Sequence, residues 1–254
     1  MNVLLERSSW YKRLGQAVVH TVYPNTCAVC GQRGTWLCDS CASHYLPLAP
    51  MLCCDRCGHP LGRACQCKHL HPVITRVRAA TVYDGWPVNA IHLLKYESER
   101  DRADLLASMM VKLLRQLGED VVLVPVPLHE HRQNERGFNQ ARTIAEGIAR
   151  LHPTPIVDAL QRVRETPAQA RSAREERLEH MRNAFSLKPG FVIDPGQHYV
   201  IVDDVFTTGA TTGACADALS LAGATQISVL TFAIDLQSRD LETYRRLATA
   251  AGIV

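Results

Sequence analysis

The chain has 254 residues, 46% hydrophobic and 21% charged, with a formal net charge of +3. That is enough apolar material for one large domain, or a large and a small one, and it excludes a chain disordered throughout. The mild basicity falls short of the dense basic stripe of a dedicated DNA-binding domain. No apolar run reaches the roughly 18 residues of a membrane span.

Residues 1–23 carry Leu4, Leu5, Tyr11, Leu14 and Val18 at roughly helical spacing. They predict an amphipathic helix packed on the body. Glu6, Arg7, Lys12 and Arg13 interrupt the apolar positions, so no secretory core forms there. Residues 24–71 are rich in Cys and Gly and poor in apolar side chains, a segment that needs a metal to fold. From about residue 73 apolar runs alternate with helical stretches. Val77–Tyr83 reads as a strand, and Val88–Tyr96 and Ala103–Leu117 as helices. Val121–Val126 reads as a buried strand and Asn139–Leu151 as a helix ended by Pro153 and Pro155. Tyr199–Val202 is a strand, Thr211–Ala222 a helix closed by Gly223, Gln226–Ile234 a strand and Leu241–Ala251 a helix. The alternation predicts an α/β domain with a parallel, doubly wound sheet over 73–254, behind a small domain over 1–72.

Nine of the ten cysteines lie between Cys27 and Cys67, and the other is Cys215. Without an export signal, clustered thiols point to the cytoplasm and to metal rather than disulfides. The order is Cys27-x-x-Cys30 then Cys38-x-x-Cys41, followed by Cys54-x-x-Cys57 then Cys65-x-Cys67. Gly31 and Gly58 follow the first pair of each block and permit the tight turn of a zinc knuckle. Eight sulfurs make two closed four-cysteine sites, structural rather than catalytic. Unmetallated thiols and an iron–sulfur cluster are the competing readings. The pairs could also interleave, or His59, His69 or His71 could replace Cys65 or Cys67. Cys53 is spare, and Cys215 reads as a small core residue.

The most specific chemistry lies in Val200–Thr212. An apolar strand ends in Asp203 and Asp204; Thr207, Thr208 and Gly209 form a turn; Ala210 and Thr211 open a helix. Amides at a helix start favour a phosphate, the Thr hydroxyls add donors, and Gly209 lets the backbone wrap an anion. Two carboxylates at the strand end suit a vicinal diol. No Gly-Lys-Ser/Thr tripeptide and no G-x-G-x-x-G after a strand is present. The plain competing reading is an acidic strand end before a Thr-capped helix.

The segment Val200–Thr211 resembles the 5-phosphoribosyl-1-pyrophosphate (PRPP) signature of type I phosphoribosyltransferases. The wider chain resembles one branch, the ComF (GntX-like) family. The residues that carry this are Val124-Pro-Val-Pro127-Leu128, Arg132, Glu135-Arg-Gly-Phe-Asn-Gln-Ala141, Leu94-Lys95-Tyr96, Arg182-Asn-Ala-Phe185 and the Tyr23-Pro24…Cys27-x-x-Cys30 opening.

This resemblance implies a phosphoribosyltransferase-like sheet behind a double zinc ribbon, with PRPP and magnesium as ligands. Asp203 and Asp204 would hold the ribose hydroxyls. Thr207, Thr208, Gly209, Ala210 and Thr211 would hold the 5-phosphate. Pro125–Arg132 would lie beside the pyrophosphate, with Arg132 and Arg136 as its partners. Arg162–Asn183, with six arginines and four glutamates, would be a hood over the site or a solvated helix. No general base is evident, since His129 and His131 are loop histidines more often solvated than catalytic. The family is associated with competence and the use of external DNA. Two functions therefore stand side by side: phosphoribosyl transfer to an unknown acceptor, and single-stranded DNA binding without group transfer, alongside DNA-uptake proteins. Phe138 is a candidate base-stacking side chain or a buried loop anchor. Trp36, Arg33, Arg56 and Arg63 in the cysteine-rich region are suggestive for nucleic acid.

Overall fold

A computed structural model describes residues 26–42, 45–61, 65–96, 102–163 and 184–254. The expected N-terminal helix and most of the expected hood, residues 164–183, lie outside the described residues. The chain forms two compact units, one running to Tyr45 and the other spanning Leu46–Val254. In the first, Cys27–Cys41 makes two tight turns and one helical turn, Asp39–Ala42.

The second unit is built on four parallel strands. They are β1 (Ile74–Val82), β2 (Val121–Pro125), β5 (His198–Phe206) and β6 (Gln226–Ile234), in the spatial order β1-β6-β5-β2. The central strand β6, Gln-Ile-Ser-Val-Leu-Thr-Phe-Ala-Ile, is buried along all but its first residue. A continuous apolar run is what a strand covered on both faces requires. Two short antiparallel strands, β3 (Leu160–Arg162) and β4 (Phe185–Leu187), form a separate ladder.

The helices are α1 (Trp86–Tyr96), α2 (Arg102–Leu114), α3 (Glu130–Arg136), α4 (Gln140–Leu151), α5 (Ala210–Leu221) and α6 (Ser238–Ala250). Helices α2 and α4 pack on each other and on the strands. Their approach is close at Gly147, where an added Cβ would lie 2.7 Å from the Ala107 Cβ. Helix α5 packs on β5 and on the β3–β4 ladder. Helix α6 is tied to the start of the unit by Tyr244, whose hydroxyl donates to the Pro47 carbonyl at 2.6 Å and accepts from the Ala49 amide at 2.8 Å.

The parallel sheet matches the sequence expectation, and three differences have local causes. Strand β5 runs four residues past Val202, because Asp203–Phe206 pair with Thr231–Ile234 of β6 despite the two acids. Helix α3 was not anticipated: Glu-His-Arg-Gln-Asn-Glu-Arg has no apolar stripe to signal it. The ladder β3–β4 has three residues per strand, too few to show a period.

Candidate functional site

Because the sheet is parallel, all four strands end on one edge. Pro125 stands opposite Val202, Phe206 opposite Ile234, and Val82 also opposite Ile234. Open α/β sheets bind their ligands along this carboxyl edge. The turn Thr207–Gly209 leaves β5 there and enters α5. Gly209 is the N-cap, at φ +76°, and a Cβ on it would lie 2.9 Å from the Phe206 ring. Only glycine meets both demands at low cost. No side chain of Gly209 can cap the helix, so its dipole end faces the turn with little side-chain cover. The Thr208 hydroxyl accepts from the Ala210 amide at 3.3 Å, and the Thr212 hydroxyl donates to the Gly209 carbonyl at 3.2 Å. Thr207 is exposed and Thr211 half-buried.

Asp203 and Asp204 fall inside β5, so successive side chains leave opposite faces of the strand. Asp204 is 5% exposed. Its Oδ2 lies 2.6 Å from Nζ of Lys95, in the last turn of α1. Burial works against the charge on Lys95, but Asp204, with help from Asp203 and Tyr83, holds its pKa above the ordinary value. Asp203 is pushed up to about 8, first by burial and then by the charge of Asp204. Raised to about 8, Asp203 favours its protonated form near neutral pH, beside the Lys95–Asp204 pair. That balance lets a carboxyl group donate a hydrogen bond and repels an anionic ligand less than two free carboxylates would. Lys95 is the site residue that reading for chemistry missed. Its signal in the sequence is a lone cation in the last turn of an apolar helix.

On the neighbouring strand, Val126 donates to the Val202 carbonyl at 3.0 Å and leaves the sheet. Asn139 pins this exit: its Nδ2 donates to the Val126 carbonyl at 2.9 Å and its Oδ1 accepts from the Arg142 amide at 3.3 Å, capping α4. Arg132 and Arg136 both sit on α3, between these two points; Arg136 donates to Gln140 at 3.2 Å. His129 caps α3, and His131 lies 3.5 Å from Glu135 with both side chains exposed. Phe138 is buried and is therefore a loop anchor, closed to base stacking. Beside α3 a cleft of about 400 Å³ opens between Pro127, Gln133, Asn139, Arg142, Arg162 and Lys188. Arg162, the one described arginine of the expected hood, lies 5.5 Å from the Phe185 ring centre.

The cysteines group in sequence order: Cys27, Cys30, Cys38 and Cys41 in one set, Cys54, Cys57, Cys65 and Cys67 in the other, with sulfurs within 4.8 Å of one another. The arrangement is sequential, not interleaved, and among the described residues no histidine joins either set. Sγ–Sγ separations are 3.7 Å for Cys30–Cys38, 3.4 Å for Cys54–Cys67 and 3.7 Å for Cys57–Cys65. Zn–S bonds of about 2.3 Å place tetrahedral sulfurs about 3.8 Å apart, and a disulfide needs about 2.05 Å. Each set therefore fits one tetrahedral ion and neither is a disulfide pair. The knuckles repeat the same turn: Gly31 N–H reaches the Cys27 carbonyl and Gly58 N–H the Cys54 carbonyl, both at 3.0 Å, with φ +74° and +71°. Burial opposes ionisation of Cys27 and Cys54, but backbone amides aimed at their sulfurs outweigh it, bringing them to about 6 and about 7. Cys53 stands outside both sets, and Cys215 is fully buried on α5.

No protein-family model matches the sequence. The chain is 30% identical over 233 residues to the DNA utilization protein YhgH of Escherichia coli K12, covering 87% of this chain and 93% of that protein. It is 33% identical over 125 residues to competence protein F of Haemophilus influenzae, covering 49% of this chain and 55% of that protein. It is 26% identical over 186 residues to competence protein ComFC of Bacillus subtilis, covering 69% and 74%. Among solved structures, a hypoxanthine phosphoribosyltransferase from Staphylococcus aureus aligns with a TM-score of 0.31 at 12% identity, over 52% of this chain and 62% of that one. Among the described residues no helix is long and apolar enough to cross a membrane.

Proposed function

This chain belongs to the ComF family of competence and DNA-utilization proteins, as its alignment along 93% of YhgH establishes, and we propose that it binds PRPP with magnesium at the β5–α5 turn in the service of DNA uptake or the use of external DNA. The observation that carries this reading is the placement of Thr207–Gly209. The turn lies between two strand carboxyls and the amino end of a 12-residue helix, on the carboxyl edge of a parallel sheet. A 5-phosphate fits the amide-lined turn. The resemblance assigns the ribose hydroxyls to Asp203 and Asp204; Asp203 is the less buried of the two, and Lys95 holds Asp204 in place. Arg132 and Arg136 are assigned to the pyrophosphate, whose planar bidentate recognition suits a guanidinium.

If transfer follows, an acceptor nitrogen forms a bond to the anomeric carbon as the bond to pyrophosphate breaks; pyrophosphate leaves and the acceptor's proton passes to solvent, while bound magnesium would supply charge neutralisation for the leaving group. The chain contributes positioning and charge neutralisation. His129 caps α3 and His131 faces Glu135, so we assign neither to the acceptor's proton. The cysteine sets are assigned two structural zinc ions, and the thiols are assigned to the cytoplasm. The second reading, single-stranded DNA binding without transfer, draws support from the DNA-related names of the relatives; burial of Phe138 removes one stacking candidate from it.

Calorimetric titration with PRPP and magnesium tests the proposal. Saturable binding by the wild type, weakened at least about tenfold in Asp203→Ala, is the expected result. A folded wild type that takes up no PRPP but retains single-stranded DNA on a filter at low salt would replace the first reading with the second.

A further inference from the structure

The second cysteine set belongs to the same compact unit as the sheet, and it reaches the phosphate turn through His59 and Phe206. The Cys54–Cys57 knuckle is wedged against β1. Val77 N–H donates to the Arg56 carbonyl at 2.8 Å, and a Cβ on Gly58 would lie 2.9 Å from the Val77 carbonyl oxygen. Arg78, 9% exposed, donates to the Asp55 carbonyl at 2.6 Å and pairs with the Asp55 carboxylate. Held there, the knuckle aims His59 at β5. The His59 carbonyl accepts from Cys54 N–H at 2.8 Å, so the ring's place depends on the knuckle itself. That ring is buried edge-to-face against Phe206, with centroids 6.2 Å apart and planes at 76°. Phe206 in turn lies under Gly209.

A continuous stack therefore runs from the ligand Cys57 through His59 and Phe206 to the glycine of the turn. Cys57, His59 and Gln66 enclose, with Phe206, Thr207 and Thr208, a gap of only about 20 Å³, room for about one water. A second contact follows past Cys67: His71 lies 3.2 Å from Asp217 on α5, and its ring fills the space a Cβ on Gly213 would need, 3.2 Å away.

We propose that the second cysteine set is a positioning element for the phosphate turn: its metal fixes His59 and His71, and through them the glycine-hinged entry into α5 that receives the anion. The assignment of the anion rests on the function proposed above; the mechanical coupling does not. The segment between Leu52 and Leu70 has little apolar content, so it holds its shape through the ion. Without the ion, Phe206 loses its wall, and an anion must order the turn as it binds.

The test is amide hydrogen exchange on the full chain without ligand, read at residues 206–213, with zinc counted by elemental analysis. Cys67→Ser should lose one of two zinc ions and speed exchange at 206–213 by about tenfold or more, while α4 keeps its wild-type protection. His59→Leu and His59→Phe leave all eight cysteines in place. Both should keep two zinc ions; the Leu variant should loosen the turn, and the Phe variant, which restores the ring contact, should not. Inorganic phosphate and PRPP affinities should fall by a similar factor in Cys67→Ser and His59→Leu. Wild-type exchange at 206–213 in a chain that has lost the second zinc, or equal loosening in the Leu and Phe variants, overturns the coupling. Failure of the wild type to bind either phosphate overturns the function proposed for the turn and leaves the exchange comparison to decide the coupling.

Discussion

Replacing Lys95 by methionine isolates what the buried ion pair contributes. Asp204 has a side-chain exposure of 6% and Lys95 of 23%, with 2.6 Å between the charged atoms. Removing one partner of a fully buried pair costs about 3–5 kcal/mol, because the remaining charge stays desolvated. Lys95 keeps some access to water, so the lower end applies, and we expect a loss of about 3 kcal/mol. For a unit of this size that is a fall in melting temperature of about 6–12 °C. Urea unfolding of wild type, Lys95→Met, Asp204→Leu and the double variant supplies the cycle. Each single variant should lose stability, and the double variant should return to within about 1 kcal/mol of wild type, since no charge is left unpaired. A loss below about 1 kcal/mol in Lys95→Met, or a double variant no better than the singles, would refute the argument that this pair is desolvated and mutually dependent.

Asp203 should reveal itself through pH. Its carboxyl is pushed from 3.8 to about 8, so the folded chain holds a proton that the unfolded chain releases. The stability this contributes is complete below about pH 4 and is lost as pH rises to about 8. Asp203→Asn should flatten the urea midpoint against pH across that window and exceed wild type above it; an unchanged slope would contradict the assignment. Tyr244→Phe strands the Pro47 carbonyl and Ala49 amide and should cost about 1–3 kcal/mol by thermal unfolding; a neutral effect would mean water replaces the hydroxyl. Gly147→Ala should cost about 1–3 kcal/mol, because the new methyl group would force α2 and α4 apart; wild-type stability would show that the helices separate freely. Elemental analysis should find two zinc ions per chain and no iron, and a value near zero would remove both metal sites.

The parts of this molecule that announced themselves in sequence are those with a period or a repeated spacing. Strand β6 is a mostly apolar run, α4 carries its Asn139 cap and apolar stripe, and the cysteine pairs recur with glycine after the first pair of each block. What escaped is what depends on partners far away in the chain. Asp203 and Asp204 read as the end of a strand because acids interrupt its apolar pattern, yet Thr231 and its neighbours keep the pairing going. Helix α3 has no apolar face and is held by its His129 cap and by Gly137, whose amide reaches back to Gln133 at 2.8 Å. The role of Lys95 needed the end of α1 to be brought to Asp204 of β5, which no local pattern specifies. Even the partition of the cysteines, open to interleaving on spacing alone, was decided by three-dimensional closeness.

The strand order has a consequence for how the chain is made. Within the sheet β1 is an edge strand whose one described strand partner is β6, which begins about 150 residues later. At synthesis rates of about 5–20 residues per second, β1 waits roughly 10–30 s on the ribosome for that partner. Through that interval its Val77 and Arg78 have a neighbour already synthesised, the Cys54–Cys57 knuckle, which needs only a metal ion and a short stretch of chain to form. If the second cysteine set takes up its ion this early, the knuckle gives one end of β1 a hydrogen-bonded neighbour long before β6 exists.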